Sequence, residues 1–259
     1  MDNLIISTVV GSLAGVIGTG LGGVIAYFLN NPSKQWLSTL LSISAGLMLG
    51  VVCFDLLPRS FELGSFGVGL IGTIIGVIIM ALLQEILSRR GEKRAGKLLE
   101  KHIDKRVVRS SSKSLSQTGI LIGIGIALHN FPEGLAIGVG FTSFQSFGLG
   151  LSLIIALHDI PEGIAMAVPM RMGGTQPGRV VLAALLAGVP TGIGALIGNV
   201  LGEISIGFIG VCLGFAGGAM LYITCSELIP ESRDLYKGRI SGVGLMFGIL
   251  LGIILSKTI

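Results

Sequence analysis

Apolar residues run along this chain in long blocks, not in the short periods of a surface helix or strand. Eight blocks, at about 4–28, 37–57, 66–87, 118–140, 147–168, 180–201, 207–229 and 240–256, are each long enough to cross a bilayer as a helix. Lipid offers the backbone no hydrogen-bond partner, so blocks of this length must close their bonds internally as helices. The predicted fold is therefore an all-α polytopic membrane protein, with eight transmembrane helices in a single domain over residues 1–259. One long polar stretch interrupts the pattern, residues 88–117. Its spacing of Glu92, Lys93, Arg94, Lys97, Glu100 and Lys101 fits a solvated helix. The first block follows Asp2 with no basic residue before it, and it is too long and wrongly flanked for a signal peptide. It is read as the first span.

Composition sharpens this picture. The chain is 51% hydrophobic and 12% charged and holds 42 glycines, which excludes an ordinary soluble domain. Its formal charge of +4 does not point to nucleic acid, because ten of the 18 Lys and Arg lie between Arg89 and Lys113. Alternate connections divide the basic residues sixteen to two. By the positive-inside rule, stretch 88–117 is expected in the cytoplasm and both termini outside a cell membrane. Cys53, Cys212 and Cys225 all fall inside apolar blocks, which argues against a disulfide framework. Glycines spaced by four, such as Gly134 with Gly138 and Gly244 with Gly248, predict tight helix contacts without saying which helices touch.

Against this apolar background two short stretches stand out, His129-Asn130-Phe131-Pro132-Glu133-Gly134 and His158-Asp159-Ile160-Pro161-Glu162-Gly163. Each lies near the middle of its span, where ionisable groups are costly and usually functional. In both, His and Glu are four apart and share a helix face. The intervening proline removes a backbone donor and frees the carbonyl of Leu128 or Leu157. Imidazole and carboxylate together, with Asn130 and Asp159 beside them, suit borderline and hard divalent cations. A metal site shared between the fourth and fifth spans is expected. His102, in the polar stretch, is a candidate for metal capture, with plain solvent exposure the commoner role for a lone histidine there.

A second repeat links the ends of the chain. At an offset of 172, Gly46 aligns with Gly218, Met48 with Met220, Cys53 with Cys225, Asp55 with Glu227, Pro58 with Pro230 and Ser60 with Ser232. Spans 2 and 7 would run in opposite directions, as would spans 4 and 5. An inverted repeat, spans 1–3 with 6–8, around two Pro-kinked central helices is the plan of secondary transporters. Asp55 and Glu227 are then expected at the outer and inner mouths of a pathway, with the His and Glu residues at its centre. Helix-end anchoring is the plainer role for both acids.

These residues resemble the ZIP (Zrt/Irt-like) family of divalent metal transporters in its prokaryotic form, over essentially the whole chain. The resemblance implies a first metal site from His129, Glu133, His158 and Glu162. It implies a neighbouring one from Asn130, Asp159 and the same two glutamates. It also implies zinc as the usual substrate, with iron, manganese, cobalt or cadmium as further ones, and movement of spans 1, 4, 5 and 6 against 2, 3, 7 and 8. No prosthetic group and no nucleic acid partner are expected. The lipid bilayer is the expected surrounding, and a homodimer stays open.

One departure from the family pattern matters. Where relatives with two metals carry Ser-Gly-x-x-Glu-Pro, this chain reads Ala187-Gly188-Val189-Pro190-Thr191-Gly192. Two divalent ions about 4 Å apart repel by roughly 16 kcal/mol at an effective dielectric of about 20. With threonine in place of the glutamate, one tightly held ion is expected. The competing activity for such a site is an intramembrane zinc-dependent hydrolase. The chain lacks His-Glu-x-x-His, and inverted symmetry has no use in hydrolysis.

Overall fold

The computed structural model describes the backbone of residues 2–29, 32–100 and 107–258, and the side chains of residues 3–29, 32–86 and 115–257. Among the described residues every regular element is helical. Eight helices are long and apolar enough to cross a membrane: Asn3–Phe28, Lys34–Gly64, Phe66–Ile86, Leu115–Ser143, Gln145–Met172, Pro177–Gly202, Ile206–Leu235 and Arg239–Lys257, here spans 1 to 8. Each apolar block of the sequence falls in one of them. Spans 2 and 7 run past their expected ends at 57 and 229, because Pro58 and Pro230 sit in the first turn of a resumed helix, where a missing N–H is no loss. The helices carrying spans 3 and 4 continue as Phe66–Glu100 and Val107–Ser143 into the expected polar stretch. His102 lies outside the described residues.

Spans 2 and 7 are built to one plan. Ser33 caps the first and Ser205 the second, each hydroxyl accepting a backbone N–H three residues on. An α-helix follows, Lys34–Val51 in one and Ile206–Ile223 in the other. Each then passes through a π-helical turn, Val52–Leu56 or Thr224–Leu228, before resuming as Leu57–Gly64 or Ile229–Leu235. Such turns re-aim side chains and recur at functional positions. Asp55 sits in the first and Glu227 in the second.

Packing divides the spans into two sets. Spans 1, 4, 5 and 6 pack extensively on one another, whereas span 2 packs on span 8 and span 3 on span 7. Glycine makes these approaches close enough for backbone contact. A Cβ at Gly134 would run into the Thr191 carbonyl of span 6, and one at Gly163 into the Thr19 carbonyl of span 1. In the other set, a Cβ at Gly46 would meet the Leu245 carbonyl of span 8, and one at Gly76 the Phe215 carbonyl of span 7. Serines stitch spans 2 and 7 together. Ser38 Oγ donates to the Ser232 carbonyl at 2.7 Å, and Ser60 Oγ to the Gly210 carbonyl at 2.7 Å. The two sets meet mainly where span 4 faces span 7 and span 2 faces span 5.

Candidate metal centre

The two His-Pro-Glu stretches face each other at mid-span. Pro132 and Pro161 each stand inside a continuous helix. The His of one span meets the Glu of the other. His158 Nε2 is 3.0 Å from Glu133 Oε1, and His129 Nε2 is 3.3 Å from Glu162 Oε2. The four-residue spacing thus brings each His and Glu to the same face, and the contacts run across the pair of helices. All four side chains are buried, as are Asn130 and Asp159.

The polar atoms of this cluster are oriented and incompletely partnered. His158 Nδ1 lies 3.1 Å from the Ile154 carbonyl. A carbonyl only accepts, so Nδ1 carries a proton, and a neutral ring would then present its Nε2 lone pair to Glu133. Two lone pairs at 3.0 Å require a cation, a proton or a metal ion, between them. Glu133, His158 and Asp159 each offer a ligand atom within 4.8 Å of the others. Glu133 Oε2, both Asp159 oxygens and Glu162 Oε1 are buried without hydrogen-bond partners. Buried carboxylate oxygens left this way are expensive unless a cation satisfies them. Five of the six expected ligands therefore form two groups, a tight trio of Glu133, His158 and Asp159 and a second pair of His129 and Glu162, while Asn130 turns its amide nitrogen to span 6.

Neighbouring spans hold these side chains in place. Asn130 Nδ2 donates to the Ala187 carbonyl of span 6 at 2.8 Å, which leaves its buried Oδ1 unpartnered. Ser44 Oγ of span 2 donates to the His158 carbonyl at 3.1 Å. Thr191 is fully buried against Gly15 and Gly134, with its hydroxyl unpartnered.

The surroundings are polar on one side only. A cavity of 520 Å³ reaches from His129 and Glu162 past Glu227, Glu231 and Asp234 to Lys34, toward the end of the bundle away from the termini. On the other side of His158, the side chains of Met48, Val51, Leu56, Leu151, Ile154 and Met220 close together without room for a water molecule.

The structure places the two pathway candidates differently. Glu227 joins the polar cavity: its Oε2 is 3.9 Å from His129 Nδ1, and its Oε1 accepts from Gln84 Nε2 of span 3 at 2.6 Å. Asp55 lies beyond the apolar layer, in the π-helical turn of span 2, and accepts from Arg59 Nε at 2.6 Å. Sequence reasoning passed over Gln84, Arg59 and Glu231. Gln84 was visible as a lone amide closing an apolar block. Arg59 and Glu231 were visible as the one position in the repeat between Pro58 and Ser60 where the charge reverses.

Comparison with known sequences agrees with the site chemistry. The sequence model of the family described as ZIP Zinc transporter matches residues 92–256. The zinc transporter ZupT of Chlorobium luteolum is 30% identical over 255 residues, covering 96% of this chain and 96% of that protein. The zinc transporter ZIPB of Bordetella bronchiseptica is 36% identical over 251 residues, covering 94% of this chain and 78% of that protein. The zinc transporter GufA of Myxococcus xanthus is 40% identical over a shorter 143 residues, where this chain spans 56% of its length.

Proposed function

From the premise that this chain belongs to the ZIP zinc transporter family, we propose that it carries a divalent cation, zinc first, into the cytoplasm through the site between spans 4 and 5. The observation that carries this reading is the joining of a buried, under-satisfied His and carboxylate cluster to a carboxylate-lined cavity on one side and an apolar seal on the other. An ion held there has a hydrated route to one end of the bundle and none to the other, which is the inward-facing half of an alternating-access cycle.

Borderline ligands of this kind favour zinc and admit iron, manganese, cobalt and cadmium. His129, Asn130, Glu133, His158, Asp159 and Glu162 are the proposed ligands, with one tightly held ion. The ion leaves by exchanging Glu162 for Glu227 as a partner of His129. Matching caps, π turns and prolines 172 residues apart in spans 2 and 7 support an inverted repeat. The two packing sets support movement of spans 1, 4, 5 and 6 against the rest. The basic stretch 88–117 then faces the cytoplasm, with both termini outside the cell membrane. The family is one of transporters, so the hydrolase reading has nothing further in its favour.

The test is metal uptake by purified protein in liposomes, comparing zinc, iron, manganese and cadmium. Concentrative or counterflow uptake of zinc is expected in wild type, with none in Glu133→Ala protein that still inserts. Vesicles that take up no metal, or take it up equally well with Glu133→Ala, sink the proposal.

A further inference from the structure

The two mouths of the pathway differ in one charge. Spans 2 and 7 place their caps, π turns and prolines at matching positions, yet the position four after the π-turn carboxylate is Arg59 in one and Glu231 in the other. Glu227 and Glu231 therefore line the open cavity together. Asp55, in contrast, is held by a cation belonging to the protein.

The Asp55 site is built in detail. Its side chain is 5% exposed; Oδ1 is 2.6 Å from Arg59 Nε, and Oδ2 is buried with no partner. The guanidinium of Arg59 also lies 4.1 Å over the ring of Phe147 in span 5. Its side chain keeps 30% exposure, and both residues border a separate cavity of 360 Å³ that also touches Glu62 and Lys257. One carboxylate oxygen is thus satisfied and one is not, and the satisfying cation is held at the same time by an aromatic face, a contact that does not depend on the carboxylate.

Resting on the transport reading above, we propose that Asp55 is a loading site for the divalent ion at the mouth nearest the termini, and that Arg59 is a tethered counter-cation which the ion must displace. Oδ2, buried and without a partner, is the second ligand atom the ion gains as Arg59 moves aside. A dication at a given distance interacts with the carboxylate twice as strongly as a monovalent ion or a guanidinium. Arg59, already seated over Phe147, can then turn away from Asp55 toward Glu62 across the shared cavity. A sodium or potassium ion lacks the second charge and does not dislodge it. Arg59 is in this way a specificity-determining residue that sets the threshold for loading, and the inner mouth, with Glu231 in its place, has no such threshold.

The experiment is zinc uptake by full-length protein in liposomes, reading KM and kcat separately, with potassium as competitor. Arg59→Gln is expected to lower KM for zinc by about two- to fivefold, the worth of a partly exposed ion pair, with little change in kcat and stronger inhibition by potassium. Asp55→Asn is expected to raise KM and to make Arg59→Gln silent in the double variant. An unchanged KM in Arg59→Gln overturns the proposal, as does the same KM shift in the Asp55→Asn background. A change in kcat alone also overturns it, marking Arg59 as a clasp between spans 2 and 5. If Arg59→Gln does not reach the membrane, Arg59→Lys replaces it: the weaker fork and stacking should lower KM less, and an unchanged KM again overturns the idea. Wild-type vesicles that take up no zinc overturn the transport reading itself.

Discussion

At the scale of single residues the centre is governed by what happens to a carboxylate deprived of water. Glu133 and Glu162 are fully buried, each meeting a histidine of the opposite span through one oxygen while another is left over. On the proposed assignment, removing either carboxylate removes both a ligand and the charge that makes a dication tolerable there. Uptake should fall at least tenfold in Glu162→Ala protein that still inserts, the loss of about 1.4 kcal/mol or more of ion binding. Radiolabelled zinc flux measures it, and a loss under twofold would remove Glu162 from the site. Thr191 raises the question of stoichiometry. It stands where the family pattern implied by the resemblance has an acid, and its hydroxyl is buried and unpartnered beside Gly15. Calorimetry of the wild-type protein should give one tight zinc site, and Thr191→Glu should add a second. Two tight wild-type sites would show that the neighbouring carboxylates suffice without it.

At the scale of the elements, helix association rests on backbone approach through glycine, since lipid tails compete with apolar side chains and leave little hydrophobic drive. The difference between glycines is measurable. A Cβ at Gly134 would collide with the Thr191 backbone, whereas one at Gly242 meets nothing within 4 Å. Gly134→Ala should destabilise the protein by about 1–3 kcal/mol, as overpacking does, and should weaken metal binding because pushing span 6 away also strains the Asn130 bond to its Ala187 carbonyl. Gly242→Ala should be neutral or stabilise by up to about 1 kcal/mol through helix propensity. Thermal unfolding in detergent separates the two, and equal shifts would show that the span 4 to span 6 contact is not close.

At the scale of the whole molecule the cavity opens one way. Gly125 borders it, and Leu151 lies in the packed apolar layer on the other side of His158. In protein whose three native cysteines are replaced, Gly125→Cys should react with an impermeant thiol reagent from the cytoplasmic side only. Leu151→Cys should stay unreactive from both sides until the cycle turns. Reaction of Gly125→Cys from outside intact cells would reverse the orientation and the inward direction with it. This asymmetry comes from the relation between the two packing sets. Where span 4 meets span 7, Glu227 reaches His129; where span 2 meets span 5, Arg59 reaches Phe147 and apolar side chains fill the gap.

The sequence by itself determined the helices, their number, and the kinds of atom at the centre. These follow from local causes: a block of apolar residues in lipid has no alternative to a helix, and histidine and glutamate at mid-span carry their chemistry wherever the helix goes. The repeat of spans 2 and 7 was legible as matched residues 172 apart, while the serine caps and π turns that those residues form came from the structure. Only the tertiary structure decided that His129 faces Glu162 and His158 faces Glu133, that Asp159 joins Glu133 and His158 within ligand range, that Gln84 holds Glu227, and that Arg59 occupies Asp55 against Phe147. Most of these contacts join different helices, so residue spacing along one chain segment does not fix them. They are set by how closely glycine lets each pair of helices approach, and that distance is a property of two surfaces meeting, which no single stretch of sequence contains.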